Sequence, residues 1–92
     1  MPDILIEEEV SFSIDELLTP MHHIVLYNDD VNTFDHVINC LVKYCAHQPE
    51  QAEQCAYLVH HKGRCSIKVG EFKTLTPIYE ALTENGLSAV VE

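Results

Sequence analysis

Phe34, Val37, Ile38, Leu41, Val42 and Cys45 recur at steps of three and four, one unbroken apolar stripe at helical period. Asn32 or Thr33 stands where a cap for the first turn is needed, and Asp35 suits the positive end of the helix dipole. His47-Gln48-Pro49 interrupts the stripe, and proline is at home in the first turn of a new helix. That second helix carries Ala52, Cys55, Ala56 and Val59 on one face and runs to His60 or His61. Lys62-Gly63 ends it, with Gly63 as the left-handed residue.

Strand patterns flank this helical pair. Ile24-Val25-Leu26-Tyr27 is a short apolar run closed by Asn28-Asp29-Asp30, which reads as a buried strand followed by a turn. Cys65, Ile67 and Val69 alternate with Ser66 and Lys68, the period of a half-buried strand. A third helix is predicted from Thr74 or Pro77 through Leu82, with Leu75, Ile78, Tyr79 and Leu82 apolar. Asn85-Gly86 closes it, and Ala89-Val90-Val91 forms a last strand. The order βααβαβ predicts an α+β domain over residues 22–92, a three-stranded sheet with three helices packed on one face. Residues 1–21 read as a flexible N-terminal arm. Ser13 three positions before Glu16 fits a capping box, but that run is too short to stand alone as a helix.

Composition narrows the function classes. Fifteen acidic residues against five basic ones give a formal charge of −10. Such a surface repels phosphate backbones and anionic headgroups, so neither nucleic acid nor membrane is an expected partner, whereas cationic groups are suited to it. No apolar run approaches the ~18–20 residues of a membrane span, and Met1 to Val10 has no basic segment of a secretory leader. A cytoplasmic location follows as the expectation. Cys40, Cys45, Cys55 and Cys65 form no C-x-x-C pair and read as buried thiols. The six histidines show no zinc-ligand spacing, so no cofactor or metal is expected. No phosphate-binding glycine loop, H-E-x-x-H or serine triad is present, and the chain is not read as an enzyme.

Taken singly, Asn28 and Asp30 could merely form an Asx-type turn, and His60 could merely favour the helix C-terminus. Val37, Ala56 and Val59 could merely be core. In combination, three segments resemble the ClpS family, adaptors of the bacterial N-end rule. These are His23-Ile24-Val25-Leu26-Tyr27-Asn28-Asp29-Asp30, Leu58-Val59-His60-His61-Lys62-Gly63, and Glu84-Asn85-Gly86 before the last strand. The resemblance covers residues 22–92 and implies a monomeric adaptor that presents proteins beginning with Leu, Phe, Tyr or Trp to a Clp AAA+ unfoldase, ClpA or ClpC. Asn28, Asp30 and His60 match the family positions that grip the α-amine. Phe34, Val37, Ala56, Val59 and Ala89 match positions lining its side-chain pocket, and the arm matches an extension engaged by the unfoldase. The implied chemistry is consistent, because an α-ammonium offers three donors and no acceptor. Asp30 supplies charge, and the Asn28 amide oxygen and a neutral His60 imidazole supply acceptors.

Asn32-Thr33-Phe34 departs from the family's usual Thr-Pro-Met, and Ala56 stands where methionine is common. The segment from His61 to Gly86 is shorter than is usual. The competing reading is a helix-surface interaction domain of the same shape without an amine pocket, an architecture shared with the C-terminal domain of the ribosomal stalk protein.

Overall fold

The computed structural model describes residues 20–92, so the capping box of Ser13 with Glu16 and nearly all of the arm lie outside the described residues. The elements run β1 (Met21–Tyr27), α1 (Phe34–Cys45), α2 (Pro49–Lys62), β2 (Arg64–Glu71), α3 (Phe72–Glu84) and β3 (Ala89–Val91). β1 begins at Met21, paired with Glu71, one residue before the boundary read from the sequence. The three strands form one antiparallel sheet of order β2-β1-β3. No described helix is long and apolar enough to cross a membrane.

Local chemistry sets the ends of the two helices that frame the site. Thr33, in extended backbone, accepts the His36 amide at its Oγ1 at 3.1 Å and starts α1. Pro49 opens α2, and Gly63 closes it at φ 95°, donating its N–H to the Val59 carbonyl at 3.0 Å. Ala46 also closes α1 in the left-handed region, at φ 58°. Alanine has no glycine-like freedom there, so the tight α1–α2 connection is held by packing. The adjacent His47 is buried, and its Nε2 donates to the Ile67 carbonyl at 2.8 Å.

The core lies between the helices and the sheet. Ile24 and Leu26 of β1 meet Leu41 and Cys45 of α1, Ala52 and Val59 of α2, and Leu75 and Leu82 of α3. β2 departs from simple alternation. Ile24 pairs with Lys68 and Val25 with Ser66, which leaves Ile67 as the extra residue of a bulge. A bulge shifts the phase of the strand by one residue. Lys68 therefore takes the inner side, where its Nζ donates to the Cys45 carbonyl at the end of α1 at 3.1 Å. Val69 turns outward at 52% exposure instead of alternating inward with Cys65 and Ile67.

α3 starts at Phe72, earlier than its sequence predicts, and takes Pro77 inside it. Pro77 is the sixth of the helix's thirteen residues, so α3 forgoes the intrahelical bond that an N–H there would make. Full burial of Leu75 and Leu82 holds the helix in place. The four cysteines are free thiols. Burial pushes Cys45 up to about 11, and burial together with the neighbouring Cys65 thiol pushes Cys55 to about 12, so neither is a ready nucleophile.

Candidate functional site

β1 delivers its last residues to the C-terminal end of α2. The Asn28 amide donates to the Gly63 carbonyl at 3.0 Å, so the start of the Asn-Asp-Asp turn and the histidine-bearing helix end are joined directly. This bond explains why residues far apart in sequence share one site.

The two aspartates of the turn do different work. Asp29 Oδ1 accepts the amides of Val31 at 3.0 Å and Asn32 at 2.9 Å. Its Oδ2 accepts Asn32 Nδ2 at 2.8 Å and Ser88 Oγ at 2.7 Å. Those donors, the Asn32 backbone amide foremost and the Ser88 hydroxyl next, hold the Asp29 carboxyl down at about 2. Asp29 is thus committed to shaping the turn. Asp30 is exposed and accepts none of these four bonds, so its carboxylate faces solvent with its charge unspent.

Between this turn and the two helices lies a cavity of about 370 Å³. Asn28, Asp29, Asp30, Asn32 and His60 form its polar side, and Phe34, Val37, Ala56 and Val59 its apolar side. α1 contributes Phe34 and Val37 one helical turn apart, and α2 contributes Ala56, Val59 and His60. Phe34 is 43% exposed, so its ring is available at the surface of the site. Ala56 is buried, so the wall behind it is backbone and a single methyl. A deeper hollow of about 20 Å³ shares Asn28, Asp29, Asn32, Val37 and Val59, and is closed by Leu26, Tyr27 and Leu87.

Seven of the eight residues singled out from the sequence therefore surround one cavity: Asn28, Asp30, His60, Phe34, Val37, Ala56 and Val59. Ala89 is not among its lining residues. It sits on β3 opposite Leu26 and is buried in the core at 5% exposure. The α3–β3 connection is short, so the residue brought to the inner end is Leu87, just before the strand. Asp29 and Asn32 also line the cavity and Leu87 lines the adjoining hollow, and the sequence reading assigned none of the three to the site. The signal for Leu87 was slight: one large apolar residue directly after Asn85-Gly86, outside any periodic run.

His61 points elsewhere. Its ring lies 4.0 Å from the Tyr57 ring centroid and meets His60 edge-on at 4.9 Å. Among the described residues, no group of three or more His, Cys, Asp and Glu side chains is arranged to hold a metal ion. The cavity thus offers one uncommitted carboxylate, an amide and an imidazole beside an apolar slot, a set suited to a cationic head on a hydrophobic body.

Residues 18–89 match the model of a family described as ATP-dependent Clp protease adaptor protein ClpS. The chain is similar to the ATP-dependent Clp protease adapter protein ClpS of Thermosynechococcus vestitus, 33% identical over 70 residues that cover 75% of this chain and 74% of that protein. It is equally similar, at 33% over 70 residues, to the ClpS adapter of Nostoc sp., covering 75% of this chain and 72% of the relative. Among solved structures, it shares its fold with Agrobacterium tumefaciens ClpS2 bound to L-phenylalaninamide, with a TM-score of 0.71 and 20% identity. That match covers 78% of this chain and 94% of the other.

Proposed function

The chain belongs to the ClpS family of Clp protease adaptors, and from that premise we propose that it captures proteins by a free α-amine and a bulky hydrophobic first side chain, and delivers them to a Clp AAA+ unfoldase. The observation that carries this reading is the single cavity that pairs Asn28, Asp30 and His60 with Phe34, Val37, Ala56 and Val59. The ammonium of a first residue donates to the Asp30 carboxylate, the Asn28 amide oxygen and the neutral His60 imidazole. Its side chain then runs between α1 and α2 toward Leu87, exchanging water for the apolar wall. Phenylalaninamide, the ligand of the Agrobacterium ClpS2, joins a free α-amine to an aromatic side chain, which supports the same pairing here.

The role is that of a cytoplasmic binding module, monomeric and without chemistry of its own, as an adaptor to a protease requires. The resemblance to the family implies Leu, Phe, Tyr and Trp as the first residues taken, and the apolar side of the cavity is consistent with them. The unfoldase, of the ClpA or ClpC kind, engages the arm that precedes β1.

An NMR titration with L-phenylalaninamide tests the reading. Resonances of Asn28, Asp30, Val37, Ala56, Val59 and His60 should shift together and saturate on one curve. An unchanged spectrum in large ligand excess, or shifts scattered over the sheet, contradicts it.

A further inference from the structure

Two connections meet at the inner end of the cavity. One is the β1–α1 turn that carries the amine-binding groups; the other is the α3–β3 connection that carries Leu87. Leu87 is 4% exposed and closes the deeper hollow. Its own backbone ties it to α3, through Gly86 N–H to the Thr83 carbonyl at 2.9 Å and Leu87 N–H to the Leu82 carbonyl at 3.1 Å. Those bonds fix Leu87 relative to its helix. They do not fix it relative to the opposite wall.

That second constraint comes from the residues on either side of Leu87. Asn32 Nδ2 donates to the Gly86 carbonyl at 2.8 Å and to Asp29 Oδ2 at 2.8 Å. Ser88 Oγ donates to the same Asp29 oxygen at 2.7 Å, while the Ser88 carbonyl accepts the Tyr27 amide at 2.9 Å. Gly86 holds φ +87°, and a Cβ placed there would stand 3.7 Å from Asn32 Oδ1, so the turn and the connection are already in van der Waals range. One carboxylate therefore clasps Leu87 from both flanks. The groups assigned to the amine, Asn28, Asp30 and His60, take no part in the clasp.

Building on the amine-binding function proposed above, we propose that Asn32 and Ser88 are positioning residues that set selectivity for the first side chain by holding Leu87 at the floor of the cavity. With the clasp intact, the depth of the slot is fixed, and a large first side chain gains contact along its whole length. With either donor removed, Leu87 shifts relative to Val37 and Val59. A large side chain then loses its defined floor, while a small one that never reached it loses nothing. Selectivity and amine dependence should therefore separate under substitution, which a general loosening of the domain would not produce.

The test uses the full chain and four otherwise identical peptides: Phe-initiated, Leu-initiated, Ala-initiated, and the Phe peptide acetylated at its amine. Affinities are measured by calorimetry for wild type, Asn32→Ala, Ser88→Ala and Ser88→Thr, with thermal melts to verify folding. Asn32→Ala and Ser88→Ala should lower the Phe-over-Ala affinity ratio by about threefold to tenfold, the span of one ordinary hydrogen bond, and Ser88→Ala, whose side chain lies outside the cavity lining, should leave the free-over-acetylated ratio within about twofold. Ser88→Thr keeps the hydroxyl and should restore the wild-type ratio. An unchanged Phe-over-Ala ratio, or both ratios falling in parallel in Ser88→Ala, overturns the positioning role while amine binding stands. Wild type that binds the acetylated peptide as well as the free one overturns the amine-binding function, and this inference with it.

Discussion

Replacing Asp29 and Asp30 one at a time should separate the stability of the site from its binding. Asp29 accepts four hydrogen bonds of 2.7–3.0 Å, from Val31, twice from Asn32, and from Ser88. Hydrogen bonds to a charged group contribute ~1.5–3 kcal/mol each where water cannot replace them. The Val31 and Ser88 donors are exposed and regain water, so the loss is closer to that of a helix cap, roughly 1–2 kcal/mol. For a domain of this size, Asp29→Ala should lower Tm by about 4–16 °C. Asp30→Ala removes no such bonds and should melt within about 4 °C of wild type, the range of exposed substitutions.

The pH dependence gives the mechanism a second handle. The Asp29 carboxyl is held at about 2, below its ordinary 3.8, so its ionised form stabilises the fold. That contribution is complete above 3.8 and is lost as pH falls through about 2. The Tm difference between wild type and Asp29→Ala should hold steady from neutral pH to near 4, then close toward pH 2. Calorimetric melts across that range decide it. Equal destabilisation by the two substitutions, or a difference that persists unchanged at pH 2, refutes the division of labour.

His60→Ala should weaken peptide binding by about tenfold or more, whereas His61→Ala, which loses only its Tyr57 and His60 ring contacts, should leave affinity within about threefold; calorimetry separates the two. Phe34 beside the buried Ala56 should favour Phe- or Tyr-initiated peptides over Leu-initiated ones by several-fold, through edge-to-face contact of ~0.5–1.5 kcal/mol. Ala56→Met should fill part of that slot and shift preference toward Leu; a Leu preference in wild type that Ala56→Met leaves unchanged rejects the enlarged slot. Thr33→Ala removes the cap on the His36 amide and should cost about 1 kcal/mol in chemical denaturation, with an unchanged midpoint counting against the cap.

The sequence made α1 and α2 plain, because their stripes keep one period from Phe34 to Cys45 and from Ala52 to Val59. Turn chemistry marked the same helices: the capping threonine, the proline at the start of α2 and the glycine at its end all carry local signals. β2 was less legible, since the bulge at Ile67 reverses the inward and outward roles of Lys68 and Val69, and a strictly alternating pattern hides such a shift. The floor of the cavity was least legible. Leu87 lies in a connection without periodicity, and the bonds that fix it join Asn32 to Gly86 and Asp29 to Ser88 across the whole chain. Asn28 and Asp30 looked like turn residues and His60 like a helix-end residue. Only their convergence on one cavity sets them apart from three unrelated local motifs and makes them a candidate site.

Central to the account is recognition of a free α-amine at Asn28, Asp30 and His60, and a titration with one Phe-initiated peptide beside its acetylated twin tests it most directly. Acetylation removes the charge and two of the donors while the Asp30 carboxylate still faces the bound ligand, a loss on the order of 2–5 kcal/mol. The free peptide should therefore bind at least about 30-fold more tightly than the acetylated one, and Asp30→Ala should erase most of that difference. Affinities within a factor of about two for the two peptides would contradict amine recognition at this site.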